Sequence, residues 1–179
     1  MFQSFKASSR PEQGPPRLRL LREEMAREGL DGFLVPRSDA HQGEYVAPRD
    51  ERLAWLTGFT GSAGFCAALQ RVAGVFVDGR YRVQVRAQVA EDFTPVDWPE
   101  VKLGPWLREQ LPNGGAVGFD PWLHGVEEIE KLEQALDRSG IHLLPVANLI
   151  DLIWEDQPEP PAGPVAAHPL DLAGEAAAD

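Results

Sequence analysis

Short apolar runs alternate with polar, Gly-rich and Pro-rich segments along most of this chain. Six runs have the length and composition of strands: residues 32–36, 65–70, 73–78, 93–98, 116–120 and 142–146. Arg71 and Val72 separate the second run from the third, which indicates a β-hairpin. We therefore expect a sheet in which at least two neighbouring strands are antiparallel.

Two segments outside these runs have apolar residues at helical spacing. The first helix follows Pro15 and Pro16 and is expected to end at Gly29, whereas the second is expected to end at Gly140. The predicted apolar faces are Leu18, Leu21 and Met25 in the first helix, and Val126, Ile129, Leu132 or Glu133, and Leu136 in the second. Strands that alternate with helices predict an α/β or mixed α+β layered fold.

The segment 81–89 (YRVQVRAQV) fits two patterns. Its odd-numbered residues are apolar or aromatic and its even-numbered residues are polar, which is typical of a strand. Tyr81, Val85 and Val89 also form a helical stripe. Periodicity alone favours the strand.

Composition narrows the classes of function. The net charge of −11, from 17 basic and 28 acidic residues, argues against nucleic acids and anionic membranes as partners, because their binding depends on clustered Lys and Arg. Cys66 is the only cysteine, and its apolar neighbours predict a buried thiol rather than a disulfide. No run of 18 apolar residues and no signal-peptide core is present. We expect a soluble cytoplasmic protein.

Residues 58–64 (GFTGSAG) resemble parts of three catalytic or phosphate-binding motifs. A nucleophile elbow around Ser62 needs glycine two positions earlier, where Thr60 stands. The glycines recur every third residue and lead into a strand, unlike a dinucleotide fingerprint, and no Gly-Lys-Ser/Thr of a phosphate loop is present. The segment is therefore predicted to be a turn that feeds a strand.

Residues 38–52 contain side chains of the types that bind metals. Asp39, His41, Glu44 and Asp50 have no spacing typical of a closed site, and the chain lacks a His-x-x-x-His pair. We interpret the segment as a polar loop capped by Asp39 and followed by a helix through residues 53–56. The histidines interpreted as surface or hydrogen-bonded core residues are His124 and His142.

Arg80 follows an Asp-Gly turn at the end of an apolar run (VFVDGRY). Such a turn projects the side chain beyond the sheet edge, where α/β sheets place ligand contacts. The fork of guanidinium donors suits a carboxylate or a peptide carbonyl. The alternative is a structural ion pair with Asp78 or Glu44, and the residues alone leave both interpretations open.

Several segments together resemble one family. SDAHQGEY (38–45), TGFTGSAG (57–64), DGRYRVQ (78–84), VGFDPWL (117–123) and LIDLIWEDQPEPP (149–161) occur in this order. In this combination they resemble the N-terminal domain of the long, three-domain Xaa-Pro aminopeptidases, within the creatinase and prolidase superfamily. The resemblance covers residues 18–161.

The resemblance implies an α/β fold with a central mixed sheet of about six strands flanked by helices. It also implies that the stretch after DGRY is helical. On this basis we expect a helix at 80–90, with Asp78 as its cap and Arg80 in its first turn.

The resemblance further implies an activity for the family's full-length members. They remove the N-terminal residue from peptides whose second residue is proline, and they use two metal ions, usually manganese, held by two Asp, two Glu and a His in a C-terminal domain that this sequence lacks. The expected role of this chain is non-catalytic and without a metal: it shapes the substrate entrance and supports dimer contacts.

Within that role, Arg80 matches the family arginine that reaches the substrate. The motif positions and neighbours expected to support it are His41, Tyr45, Ser62, Asp78 and Tyr81. The expected partners are the middle and catalytic domains of the same polypeptide, a peptide with proline in second place, and a second copy of the enzyme.

The expected organisation has three parts. A flexible N-terminus (1–15) precedes the α/β domain (16–156), and a Pro/Ala-rich linker (157–179) leads into a second domain. Two alternatives remain open: a standalone peptide-binding or scaffold module without a catalytic domain, and a different chemistry of the superfamily, such as creatine hydrolysis, which the DAHQGEY and GSAG segments disfavour.

Overall fold

The computed structural model describes residues 9–176, which contain one mixed sheet. Its strands are β1 (Gly32–Pro36), β2 (Phe65–Leu69), β3 (Ala73–Val77), β4 (Thr94–Asp97), β5 (Gly115–Phe119) and β6 (Ile141–Pro145). They lie in the order β4-β3-β2-β1-β5-β6. The pairs β1–β2 and β2–β3 are antiparallel, and the remaining pairs are parallel. The six predicted strands and the hairpin at Arg71 are confirmed, each strand to within one residue at either end.

Helices connect and flank these strands. They are α1 (Gly14–Arg27), α2 (Arg52–Thr57), α3 (Arg82–Gln88), α4 (Leu103–Gln110), α5 (Val126–Ala135), α6 (Leu149–Ile153) and α7 (Leu170–Ala173). The predicted first helix is confirmed, with Leu18, Leu21 and Met25 buried and Gly29 in the left-handed region just beyond its end. The sequence pattern does not predict α4, because Gly104 and Pro105 in its first turn are residues that usually interrupt helices.

The sheet is covered on both faces by separate hydrophobic cores. Successive residues of a strand point to opposite faces, so Phe33 and Val35 enter one core and Leu34 enters the other. The first core packs the sheet against α1, α2, α3 and α6, and the second packs it against α4 and α5. Cys66 lies in the first core, and burial raises the pKa of its thiol to about 12, which confirms the predicted buried cysteine.

The ambiguous segment after β3 is helical. Val85 is fully buried whereas Val83 is 84% exposed, which is the helical rather than the strand alternation. The strand favoured by periodicity is therefore wrong, and the helix implied by the family resemblance is confirmed. It is shorter than expected, since α3 begins at Arg82.

Two details of that helix differ from expectation. Arg80 precedes α3 instead of lying in its first turn, and the residue at the N-cap is Tyr81, which makes no side-chain capping hydrogen bond. The carboxylate of Asp78 instead accepts the backbone N–H of Arg80. Asp78 therefore closes the turn that precedes α3 and does not cap the helix.

The predicted apolar face of α5 is only partly buried. Val126 is 75% exposed, whereas Leu136, directly after the helix, is buried, and Ile129 and Leu132 pack at the margin of the second core. The C-terminal end of α5 lies against α4, where a Cβ at Gly104 would approach Ala135 Cβ to 2.7 Å. This contact leaves the first turn of α5 in solvent.

The segments that flank the domain contact it directly. Ser9 Oγ donates to the carbonyls of Gly58 and Gln88, and the side-chain amide of Gln157 donates to the carbonyl of Arg49. The domain boundaries expected at residues 16 and 156 remain a proposal. Residues 1–8, within the proposed flexible N-terminus, lie outside the described part of the chain, as do residues 177–179. None of the helices in residues 9–176 has the length and apolar character needed to cross a membrane.

Two adjacent leucines of α1 test the first core. Leu21 is fully buried and Leu20 is 41% exposed. Leu21→Ala is expected to lower the free energy of unfolding by about 3 kcal/mol, because it removes buried methyl groups and leaves a cavity. Leu20→Ala, the matched control, is expected to lower it by less than about 1 kcal/mol. Urea denaturation measures both, and equal losses would contradict the assigned core.

Candidate functional site

Loops from several strands meet at one edge of the sheet. Pro36 at the end of β1 pairs with Phe65 at the start of β2, and Phe65 pairs with Phe76 near the end of β3. Because β4 and β5 run parallel to β3 and β1, their carboxyl ends lie at the same edge. We call this the loop edge. The site residues predicted from the sequence all lie on its loops: His41, Tyr45, Ser62, Asp78, Arg80 and Tyr81.

The Gly-rich segment 58–64 is a turn that leads into β2, as predicted. Gly58 ends α2 with a φ of +83°, and a Cβ there would lie 2.6 Å from the carbonyl oxygen of Gln88. A Cβ at Gly61 would clash with the rings of Phe59 and Tyr81. The glycines therefore allow close packing between this turn and the segment that follows β3.

Ser62, Asp78, Arg80 and Tyr81 form one contact group, which we call the Arg80 cluster. The hydroxyl oxygens of Ser62 and Tyr81 are 2.5 Å apart. The guanidinium carbon of Arg80 lies 5.1 Å from the centre of the Tyr81 ring, which also packs edge-on against Phe59. A hydrogen bond from Ser62 favours the phenolate and lowers the pKa of Tyr81.

Arg80 is paired with Asp78. Its Nε lies 3.1 Å from Oδ1 and its Nη2 lies 2.7 Å from Oδ2, and this side-chain hydrogen bonding lowers the pKa of Asp78. Of the two ion pairs considered from the sequence, the structure shows the one with Asp78. The Arg80 side chain is still 66% exposed. The carboxylate therefore holds the guanidinium at the loop edge without enclosing it.

His41 and Tyr45 lie on a different loop of the same edge. Asp39 Oδ1 accepts the backbone N–H groups of Gly43 and His41, which lowers the pKa of Asp39 and confirms that this residue caps the loop. Tyr45 is 87% exposed. Within residues 9–176, no hydrogen bond, ion pair or ring contact joins His41 or Tyr45 to the Arg80 cluster.

The acidic and histidine side chains of this loop do not converge. Asp50 binds the guanidinium of the buried Arg52, which also forms two hydrogen bonds with Asp151. In the described part of the chain, no group of three or more His, Cys, Asp or Glu side chains could hold a metal ion. These residues therefore do not fit a two-metal hydrolytic centre.

His124 is not among the site residues predicted from the sequence. Its imidazole is 4% exposed, its Nδ1 lies 3.2 Å from Glu128 Oε1, and its Nε2 has no hydrogen-bond partner among the described residues. The interpretation as a hydrogen-bonded core histidine therefore holds for Nδ1 of this residue but not for Nε2, and His142 is exposed, as expected of a surface histidine. The four-residue spacing between His124 and Glu128 at the start of a helix is the sequence signal that could have indicated the pair.

Comparison with known proteins identifies the family. Residues 17–153 match the Creatinase/Prolidase N-terminal domain, and the chain belongs to this family. Xaa-Pro aminopeptidase 2 of Rattus norvegicus is 37% identical over 166 residues, which cover 88% of this chain and 24% of that protein. A probable Xaa-Pro aminopeptidase P of Coccidioides posadasii is 38% identical over 181 residues, which cover 96% of this chain and 27% of that protein. The chain thus spans about a quarter of the length of these relatives.

Solved structures support the same assignment. An X-prolyl aminopeptidase from Caenorhabditis elegans, described as a cytosolic enzyme with a di-nuclear active site, is 29% identical with a TM-score of 0.75 over 82% of this chain and 26% of that chain. The N-terminal domain of the cytoplasmic peptidase PepQ from Mycobacterium tuberculosis H37Rv is 26% identical, with a TM-score of 0.61. The match covers 77% of this chain and 98% of that chain. The resemblance inferred from the motifs is confirmed, and the α/β fold is that of these N-terminal domains.

The contact between Ser62 and Tyr81 can be tested by titration. The chain has two tyrosines, so a Tyr45→Phe background leaves Tyr81 as the single phenol. In that background Ser62→Ala is expected to raise the pKa of Tyr81, because the hydrogen bond to the phenolate is lost. Ultraviolet absorbance of the phenolate measures the midpoint. Ser139→Ala, far along the chain, should leave it unchanged; an equal midpoint in the Ser62 variant would contradict the contact.

Proposed function

We propose that this chain is the non-catalytic N-terminal domain of a metal-dependent Xaa-Pro aminopeptidase, which releases the N-terminal residue from peptides with proline in second place. The middle and catalytic domains would belong to the same cytoplasmic polypeptide, and the catalytic domain would hold the two metal ions, with manganese as the expected metal. Support comes from relatives named Xaa-Pro aminopeptidases that match most of this chain with only a quarter of their own length.

The loop edge is the part of the domain that we assign to the substrate entrance. The observation that carries this assignment is the exposed guanidinium of Arg80, held by Asp78 beside the hydrogen-bonded pair Ser62 and Tyr81. A guanidinium oriented in this way loses little further conformational freedom when it binds a peptide carbonyl or carboxylate. We propose that Arg80 contacts the peptide while the reaction takes place in the catalytic domain.

The domain is also proposed to contribute to contacts between two copies of the enzyme. Large apolar side chains are exposed near the loop edge, including Trp122 and Val126, each 75% exposed. Aromatic residues of this kind are enriched in protein interfaces. Their exposure supports the proposal that another protein surface packs against this region.

One prediction concerns the activity of the chain by itself. The purified 179-residue protein with Mn²⁺ is expected to release no amino acid from an Xaa-Pro-Xaa peptide above the buffer rate, because its described residues do not assemble a metal centre. Chromatography of the released amino acid measures the rate. A longer enzyme of the family under the same conditions is the positive control. Metal-dependent turnover by the 179-residue protein would overturn the proposal.

A second prediction concerns Arg80 in the intact aminopeptidase that contains this domain. Arg80→Ala is expected to lower kcat/KM for an Xaa-Pro peptide about tenfold or more, as the loss of one hydrogen bond from a charged donor would. Arg82→Ala is the matched control, since Arg82 is engaged by Glu100 and Asp97. Unchanged kinetics together with a lower melting temperature would show that the pair with Asp78 has only a structural role.

A further inference from the structure

A small cavity lies at the loop edge, apart from the Arg80 cluster. It has a volume of about 210 Å³ and lies between the end of β1, the start of α4 and the loop before α5. Most of its wall is apolar, with Pro36, Phe65, Leu103 and Leu123 among the lining residues. A concave apolar site that contains a few polar groups is the usual form of a small-molecule site.

His124 is one of the polar groups of this cavity. Its Nδ1 faces the Glu128 carboxylate at 3.2 Å, and a carboxylate in this position favours the tautomer that carries its proton on Nδ1. Nε2 is then a hydrogen-bond acceptor. The imidazole is 4% exposed, and Nε2 has no partner among the described residues. A buried acceptor without a partner is unfavourable, so a bound donor would stabilise this arrangement.

Arg37 supplies the opposite kind of group. Its side chain is 12% exposed, its Nη1 donates to the carbonyl of Glu44, and its Nη2 lies 3.7 Å from Glu51, beyond hydrogen-bond distance. The guanidinium carries five N–H donors, so donors remain for a ligand. Three other polar residues line the cavity. Ser38 Oγ donates to the carbonyl of Leu123, the amide of Gln42 donates to the carbonyl of Asp39, and Glu128 Oε1 faces His124 Nδ1.

The size and the chemistry of the cavity define the ligand. The volume equals that of about seven water molecules in the liquid, more than one bridging water needs. We propose that the cavity binds a free α-amino acid with a small apolar side chain. Its ammonium group donates to His124 Nε2, its carboxylate accepts from Arg37, and its side chain packs on Phe65 and Leu123.

Nuclear magnetic resonance of the 179-residue protein tests this proposal. The chain has four histidines, so their imidazole nitrogen signals can be followed individually during titration with alanine, valine or proline. A saturable shift confined to His124 is expected. Acetate and methylamine, each of which carries one half of the ligand, are expected to bind at least about tenfold more weakly, because each lacks a charge-assisted hydrogen bond.

Two variants and a control locate the site. His124→Phe keeps a ring of similar shape without Nε2, and Arg37→Gln removes the guanidinium; each is expected to weaken binding about tenfold or more. His142→Phe, on the exposed side of β6, should bind like the unchanged protein. Because a ligand that binds only the folded state raises the melting temperature, thermal unfolding provides a second readout for variants with altered stability.

Defined outcomes would overturn the proposal. These are the absence of a saturable shift at His124 with any of the amino acids, binding that survives His124→Phe, or acetate binding as tightly as alanine. None of these results bears on the proposed aminopeptidase role, since that role is supported by the relatives and by Arg80 and is measured by peptide cleavage. The two proposals can therefore fail separately.

Discussion

The register of the three central strands is the constraint on which the site depends. Pro36, Phe65 and Phe76 lie side by side across β1, β2 and β3. This pairing brings the end of β1, the start of β2 and the end of β3 to one edge, and with them three loops that are far apart in the chain. A slip of one residue would turn every side chain of the shifted strand from one core to the other, where its size and shape do not match the packing. The two cores therefore fix the loop edge as firmly as they fix the sheet.

The same scaffold explains how an exposed polar cluster can be ordered. Glycines at 58 and 61 let the turn before β2 pack closely against Tyr81, and Asp78 then orients the neighbouring Arg80. The buried Arg52 joins α2 to α6 through Asp151, and Asp50, just before α2, pairs with the same guanidinium. A buried guanidinium needs such partners, because an unpaired charge would be strongly destabilising. The loops are thus held by a rigid interior while their polar ends stay accessible.

The loop edge contains two kinds of polar arrangement. In the Arg80 cluster the charged groups are paired with each other and remain in solvent, which suits contact with a large partner such as a peptide bound to another domain. Around His124 a buried acceptor lacks a partner beside a small cavity, which suits a small ligand. The described residues place neither arrangement within a group able to hold a metal. Both are compatible with the proposed role, in which this domain contributes binding surfaces and another domain carries out hydrolysis.

The sequence by itself determined the strands, the first helix and the family. Strand ends can be located from neighbouring residues, because the short apolar runs are bounded by Gly, Pro and Asp. The family can be identified because its motifs occur in the same order along the sequence. Only the tertiary structure decided the rest. The segment 82–88 has a strand-like pattern, and the family resemblance rather than the periodicity indicated a helix; the structure forms that helix, with Val85 in the core and Val83 in solvent. The residues alone left Arg80 with two candidate partners, and the folded turn pairs it with Asp78 rather than Glu44. Burial of His124 depends on packing against distant segments, such as the loop that contains Ser38, which no local pattern encodes.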